Sequence, residues 1–197
     1  MTTYGGAANP YRDILELKKV DVSPARWAIR KAFMELYQEI PFSEISVKKL
    51  CERAHVARTT FYANYSNTDA LLEEIEDALI VELLDVTDRP KYADEKEFGI
   101  FGKNLRQFID SHTLALTALL VKQPDLRLIN KWKRGIKYHF WALIFEGEHT
   151  SNKEFTLEII ASMAVSSYTF LLENPDHRPD QKEITELMLR CFRAIEY

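Results

Sequence analysis

Residues 45–75 read ISVKKLCERAHVARTTFYANYSNTDALLEEI, and their spacing is more informative than that of any other part of the chain. In the first half, apolar residues recur at three- and four-residue intervals, which predicts an apolar stripe on a short helix (Val47, Leu50, Cys51 and Ala54). Three linking residues follow, and a second short segment begins at Arg58. Two short helices joined by such a turn are typical of a helix-turn-helix, whose second helix lies in the major groove of DNA.

The second segment places a cation and short polar groups before its aromatic residues. Arg58, Thr59 and Thr60 come first, and the aromatic residues Phe61, Tyr62 and Tyr65 follow. In a recognition helix this order brings the first turn to the bases and the tyrosine hydroxyls to phosphate oxygens. The pattern therefore predicts a DNA-binding surface.

With these residues, the region from about residue 25 to residue 80 resembles the DNA-binding domain of the TetR (tetracycline-repressor) family of transcriptional regulators. The resemblance implies an all-α fold, in which an N-terminal three-helix helix-turn-helix domain is joined by a fourth helix to a C-terminal helical bundle. Its most specific elements are Ala32-Phe33, Phe42, Ile45-Ser46-Val47, Cys51-Glu52-Arg53-Ala54, Phe61-Tyr62, Tyr65 and Leu71-Leu72.

Carried over by position, the resemblance makes Ala57, Arg58 and Thr59 the candidates for contact with base edges. Arg58 could donate two hydrogen bonds to O6 and N7 of guanine, and the Ala57 methyl could touch a thymine methyl. We expect Tyr65 to pack against Phe33 or Phe42 instead. The positions that meet phosphate in the family are occupied here by Ser46, Lys48, Thr60, Tyr62 and Asn64.

Three residues depart from the family pattern. His55 stands where a glycine is usual, in a position expected to need positive φ. Ala57 replaces the Ser or Thr that would cap the recognition helix, a loss of roughly 1 kcal/mol. Thr68 replaces a lysine that commonly meets a phosphate in the family. These departures keep an alternative open, in which a TetR-like co-regulator has lost DNA binding and acts by protein–protein interaction.

Local signals divide the chain into segments. Residues 1–22 are predicted to be flexible, since their first ten residues are small and polar. Residues 23–68 form the predicted helix-turn-helix domain, which begins with a serine cap and a proline, and residues 69–86 form the linking helix. Residues 87–197 are the expected effector-binding and dimerisation domain, with a linker at 87–94 and helices over 98–109, a segment ending at Pro124, 125–146, 153–173 and 180–196, and a turn at 147–152.

Composition and charge agree with an all-helical regulator. Hydrophobic residues make up 46% of the 197 residues, and Gly and Pro are few. The net charge is −4, but residues 23–65 hold seven Lys and Arg against four Asp and Glu, a local surplus of +3. We expect no membrane span, because no run of about 18 apolar residues is evident. Without a signal-peptide layout, and with only two cysteines, we expect a cytoplasmic protein.

Aromatic residues are dense between residues 98 and 145, which admits two interpretations. They could line an apolar effector pocket between helices, or they could be ordinary core. Trp132 and Trp141 are nine residues apart, on opposite sides of a helix, so at most one of them can face a given cavity. The candidate pocket residues are Phe101, Leu105, His112, Leu116, Trp132, Ile136 and Phe140.

The sequence predicts neither a catalytic nor a metal site. The five histidines are scattered without ligand spacing, and no nucleotide-binding or hydrolase motif occurs. An all-α enzyme would have only the aromatic cluster in its favour, without paired carboxylates or a nucleophile–base arrangement. We therefore expect no cofactor and no enzymatic activity.

The last two predicted helices, 153–173 and 180–196, carry apolar residues on more than one face, which predicts a homodimer through them. Small residues at Ala161, Ala164, Ser166 and Ser167 would let helices approach closely. A two-fold dimer would bring two recognition helices to successive major grooves of a near-palindromic operator, about 34 Å apart. An unknown small molecule or protein partner would change that spacing. Repression is the commoner behaviour in the family, but these residues do not separate repressor from activator.

Overall fold

The computed structural model describes residues 9–18, 22–87, 95–144, 151–177 and 179–195. Over these residues the chain is all-α, as predicted, with nine α-helices and no strand. Short 3-10 helices lie at Arg12–Glu16, Phe42–Glu44 and Pro175–His177, and one π-helical turn spans Ala118–Lys122. The α-helices are α1 Pro24–Glu39, α2 Val47–Ala54, α3 Arg58–Tyr62, α4 Thr68–Thr87, α5 Glu95–Ser111, α6 Thr113–Thr117, α7 Leu126–Ile144, α8 Ser151–Glu173 and α9 Gln181–Ile195.

Helices α1, α2 and α4 begin at the polar residues that the sequence predicts as their starts. Ser23 Oγ accepts a hydrogen bond from Arg26 N at 3.3 Å, and Pro24 occupies the first helical position of α1. Ser46 caps α2, and Asn67 Oδ1 accepts from the first turn of α4. The core that they share with α3 contains side chains with no solvent exposure at all: Ile29, Phe33, Leu50, Phe61 and Leu71.

Helix α4 joins this domain to the C-terminal helices through buried charge. Glu76 is fully buried, and its Oε2 lies 2.9 Å from Lys131 Nζ of α7. Its Oε1 is 3.0 Å from Arg127 Nη2, close enough for an ion pair although the angle is poor for a hydrogen bond. Burial raises the pKa of Glu76, and the Lys131 ammonium partly offsets that effect. The ion pairs fix α4 to the first turns of α7.

Residues 9–18 correct the prediction of a flexible N-terminal segment, because they pack against α7. Ile14, in the 3-10 helix, is buried in the main core. The Tyr11 ring lies edge-on to Trp141, with centroids 5.8 Å apart. Arg134 of α7 stacks over the same tyrosine, with its guanidinium carbon 5.5 Å from the ring centroid. The segment therefore covers part of the C-terminal domain.

The aromatic residues of the C-terminal domain fall into two clusters. Trp132 is buried, stacks on Tyr168 with centroids 6.1 Å apart, and meets Phe108 edge-on. Trp141 belongs to a second cluster, made with Phe140, Leu157 and Ile160. The prediction that the two tryptophans cannot face one cavity agrees with this division.

Two predicted boundaries in the C-terminal half are wrong. The helix expected to continue to Pro124 is divided at Ala118, where α6 gives way to the π-helical turn. Ser151 and Asn152, assigned to a turn, already belong to α8. Residues 88–94 of the predicted linker and 145–150 lie outside the described residues.

Helix α8 combines length with a largely apolar composition. By length and composition alone, Asn152–Glu173 would be long and apolar enough to cross a membrane, contrary to the expectation that no segment would be. Its inner face, however, is buried in the protein's own core. The buried residues are Leu157, Ile160, Ala161, Ala164, Val165, Tyr168 and Leu172. We therefore interpret α8 as a core helix of the C-terminal domain.

Candidate DNA-binding surface

The turn between α2 and α3 has the geometry predicted from its sequence. His55 adopts φ 53° and ψ 42°, in the left-handed region, and its side chain is exposed. Its backbone N–H donates to carbonyls of the last turn of α2, and Val56 N donates to Cys51 O at 3.1 Å. A histidine thus closes α2 where glycine would do so without strain.

The recognition helix α3 begins without a side-chain cap, as predicted. Ala57 is extended, with φ −71° and ψ 151°, and its methyl accepts no hydrogen bond from the helix. The helix has only five residues, too few to be stable by itself. Phe61 anchors it instead, because its ring is fully buried and packs 5.7 Å from that of Tyr65. Packing, and not capping, sets the direction of α3.

Six of the eight predicted DNA-contacting side chains are exposed. On α3, Arg58 and Tyr62 lie side by side, with the Arg58 guanidinium carbon 6.0 Å from the Tyr62 ring centroid, and Tyr62 is 52% exposed. Thr60 and Asn64 are half-buried. The exposed members of the predicted set are Ser46, Lys48, Ala57, Arg58, Thr59 and Tyr62.

The side-chain amide of Asn64 forms hydrogen bonds within the protein. Its Oδ1 accepts a hydrogen bond from Arg26 Nε at 3.2 Å, and its Nδ2 donates to Thr60 O at 2.7 Å. The amide therefore ties the last turn of α3 to the start of α1. In this arrangement Asn64 positions the recognition helix through its Oδ1 and one of its two Nδ2 hydrogens.

Glu74 of α4 supports the same junction, and sequence reasoning missed it. It accepts hydrogen bonds from Tyr65 Oη at 2.6 Å and from Arg30 Nη2 at 2.7 Å, and it pairs with Arg26. Burial would raise the pKa of Glu74, but hydrogen bonds from Tyr65, Arg30 and Arg26 outweigh it and lower that pKa. No signal in the sequence links these partners, because Arg26 and Arg30 lie 48 and 44 residues away.

Tyr65 confirms the predicted core role but has a different neighbour. It is 4% exposed, and its ring pairs with that of Phe61, whereas the rings of Phe33 and Phe42 pair with each other. Burial, together with the hydrogen bond to Glu74, raises the pKa of the Tyr65 hydroxyl to about 12. This residue therefore stays neutral and anchors the end of α3.

The predicted effector-pocket residues do not form one cluster. Leu105, Leu116 and Trp132 are buried in the main core, and Phe140 belongs to the second cluster. Ile136 packs against both clusters. His112 Nε2 lies 2.9 Å from Glu82 Oε1 of α4, and the side chain of Phe101 lies outside the described residues. The pocket stays a prediction, and the described side chains in it are packed against other side chains.

Comparison with known proteins bears on the N-terminal domain directly. A family model described as "Bacterial regulatory proteins, tetR family" matches residues 29–75. Residues 29–75 form a TetR-family domain. No curated protein matches the chain.

The TetR-like fold extends beyond that domain. The dihydroxyacetone kinase operon activator DhaS is 18% identical, with a TM-score of 0.55, over 86% of this chain and 94% of that chain. A tetR-family transcriptional regulator from Streptomyces coelicolor is 17% identical, with a TM-score of 0.58, over 89% of this chain and 82% of that chain. At such identity the likeness shows the fold alone, and it includes most of the C-terminal helices.

Proposed function

We propose that the protein is a sequence-specific DNA-binding transcriptional regulator that acts in the cytoplasm. The observation that carries the proposal is the exposure of Ala57, Arg58 and Thr59 at the start of α3, within the residues that the tetR-family model matches. These are the three residues for which we expect contacts with base edges. Phe61 and the Glu74 junction hold α3 rigidly. A rigid helix with an exposed arginine in its first turn suits bidentate recognition of guanine.

The test is a selection of bound genomic DNA fragments by the purified protein. We expect enrichment of a few fragments that share a near-palindromic motif, with half-sites about one helical turn apart. Arg58→Ala is the matched control, because it keeps the fold and removes the predicted base contact. If the parent enriched no motif, or if the variant enriched the same one with equal affinity, the proposal would fail.

The proposed functional unit is a homodimer. Phe155, Ile159 and Phe170 of α8 are 67%, 43% and 54% exposed, and Ser166 lies between them on the same helical stripe. Leu187 of α9 is 56% exposed. A second copy that covers these side chains about a two-fold axis would pair the two recognition helices. The small residues Ala161 and Ala164 do not serve this interface, since both are buried within the protomer.

We also propose that a small molecule or a protein partner controls the regulator. Whether the protein represses or activates transcription is decided by experiment. One structural neighbour is named an operon activator, while the name of the other gives no direction. A reporter gene placed behind the selected operator distinguishes repression from activation. Deletion of the regulator raises reporter expression if the protein is a repressor and lowers it if the protein is an activator.

The second candidate is a TetR-like co-regulator that acts on another protein. The uncapped start of α3 and the internally bonded Asn64 favour it, because the first lowers the stability of the recognition helix and the second occupies amide groups that could contact phosphate. A gel shift against the gene's own upstream region separates the two candidates. A shifted band that unlabelled specific DNA competes away supports the regulator. The absence of a shifted band at every protein concentration supports the co-regulator.

A further inference from the structure

Gln123, next to the π-helical turn, connects the C-terminal domain to the helix-turn-helix domain with its whole side-chain amide. Its Nε2 donates to Tyr37 O at 2.5 Å and to Ile40 O at 2.7 Å. Its Oε1 accepts from Phe42 N at 2.9 Å. All three backbone groups lie at the end of α1, 81 to 86 residues away along the chain.

The sequence explains why the end of α1 lacks hydrogen-bond partners of its own. The carbonyl of Tyr37 would ordinarily accept from the residue four positions later, but that residue is Pro41, which has no N–H. A primary amide offers two donors and an acceptor, and this turn lacks two donors and one acceptor. Tyr37 is 4% exposed, so water has little access to the site. Gln123 matches the unmet hydrogen bonds of α1.

The backbone around Gln123 is also held on its own side. Its N–H donates to Ala118 O at 3.0 Å, which closes the π-helical turn. Asp125 Oδ1 accepts from Arg127 N at 2.8 Å and from Leu128 N at 3.0 Å, so α7 starts at once. Gln123 is therefore fixed relative to α6 and α7, and it transmits their position to α1.

We propose that Gln123 is a positioning residue that sets the orientation of the helix-turn-helix domain on the C-terminal domain. In the proposed dimer it thereby sets the distance between the two recognition helices. Helix α4 and a continuous apolar core also join the two domains. The Gln123 amide adds a directed attachment at the end of α1, and its hydrogen bonds to three backbone groups hold an orientation more closely than apolar contact does. This inference rests on the proposed function for its DNA consequence, but its structural part does not.

The DNA experiment compares the parent with Gln123→Met, which keeps the length of the side chain and removes its hydrogen bonds. Targets are the selected operator, the same operator with one or two base pairs inserted between half-sites, and a single half-site. The parent should lose affinity on the order of tenfold with each insertion, a typical size for coupling between domains. Gln123→Met should bind the half-site like the parent and discriminate spacing less than threefold.

Two further variants make the result specific. Gln107→Met changes an exposed glutamine of α5 and should leave the spacing dependence at the parental value. Gln123→Glu keeps one acceptor for Phe42 N but turns carboxylate oxygen toward two carbonyls, so it should lose discrimination at least as much as Gln123→Met. The proposal would be overturned if both Gln123 variants kept the parental dependence on half-site spacing. It would also be overturned if they lost as much affinity for the single half-site as for the full operator.

A measurement without DNA separates this inference from the proposed function. Amide hydrogen exchange of Phe42 N–H should be slow in the parent and at least tenfold faster in Gln123→Met, which removes the acceptor of that N–H. Exchange within the middle of α1, at Ala32, should not change. If the parent bound no DNA while Phe42 behaved as expected, the regulator proposal would fail and the junction would stand. Unchanged exchange at Phe42 would refute the junction itself.

Discussion

Arg58 and Tyr62 share the exposed surface of α3, yet they are expected to contact different parts of DNA. Arg58→Ala should relax specificity at one base pair of each half-site, with a cost of roughly 1–3 kcal/mol per bidentate contact. Tyr62→Phe keeps the ring beside Arg58 and removes only the hydroxyl, so it should weaken binding to all sequences alike. Affinities for an operator library with single substitutions give both profiles. Equal profiles for the two variants would contradict these roles.

His55 is the second residue whose local geometry makes a prediction. Because its φ is 53° and its side chain is exposed, His55→Gly relieves backbone strain without loss of packing. We expect the free energy of unfolding to rise by about 0.5–1 kcal/mol, measured by denaturant titration. His55→Ala is the control, since it keeps the strain and should not stabilise the protein. A less stable glycine variant would show that the turn depends on the imidazole.

Residues whose partners are close in sequence could be predicted, and residues with distant partners could not. The caps at Ser23 and Ser46 follow from neighbours within four positions, and the positive φ of His55 was expected from the family resemblance. The role of Asn64 was not foreseen, because Arg26 is 38 residues away. A phosphate contact was predicted for Asn64 from position alone, and position does not show that its amide is already bonded.

At the scale of elements, α7 connects three parts of the fold through its basic residues. Lys131 pairs with Glu76 and Asp77 of α4, and Arg134 pairs with Asp13 of the N-terminal segment. Lys133 and Lys137 both pair with Glu158 of α8. The apolar stripe of α7 was predictable from its period alone, whereas the ionic partners of its basic residues depend on how the helices pack.

The Glu158 cluster gives a pH dependence with a definite sign. Hydrogen bonding from Lys137, and then from Lys133, lowers the pKa of Glu158 from 4.5 to about 2. A carboxyl with a lower pKa in the folded state stabilises the fold above pH 4.5, and that contribution is lost as pH falls toward 2. The carboxylate is partly exposed, so solvent screening keeps the effect modest.

We therefore expect the melting temperature of the parent to exceed that of Glu158→Gln at pH 7. The difference between the two should shrink steadily between pH 4.5 and 2 in thermal unfolding followed by circular dichroism. Glu173→Gln, at the exposed end of the same helix, is the control and should track the parent throughout. A difference that stayed constant over this range would show that the ion pairs with Lys133 and Lys137 do not stabilise the fold.

At the scale of the whole molecule, the exposed apolar stripe of α8 is the feature without a partner in the described part of the protomer. Two of the four small residues predicted for the dimer contact, Ala161 and Ala164, are buried in the protomer's own core, whereas Ser166 lies on the exposed stripe. A helix with apolar residues on several sides does not reveal which side its own chain covers. The tertiary contacts leave Phe155, Ile159 and Phe170 outside.

The test of the dimer follows from that correction. Ile159→Glu combined with Phe170→Glu places charge on the exposed stripe and should yield folded monomers, whereas Ala164→Glu would disturb the core. Leu126→Glu is the control, because Leu126 is 72% exposed on α7. By light scattering at micromolar concentration we expect the parent and the control to be dimers. Operator affinity of the double variant should fall roughly 10²-fold or more through lost avidity. A monomeric parent, or a double variant that stayed dimeric, would defeat the proposal.

Because of the π-helical turn at Ala118–Lys122, the number of residues in this turn determines how the helices on either side of it are oriented. Such a turn holds one residue more than an α-helical turn between the same hydrogen-bonded ends. The loss of a single codon there would restore α-helical spacing and rotate α6 by about 100° relative to Gln123. Leu116 and Gln123 could then no longer both keep their places, in the core and at the end of α1. A change of one codon, which most surface loops tolerate, would here exchange one domain arrangement for another.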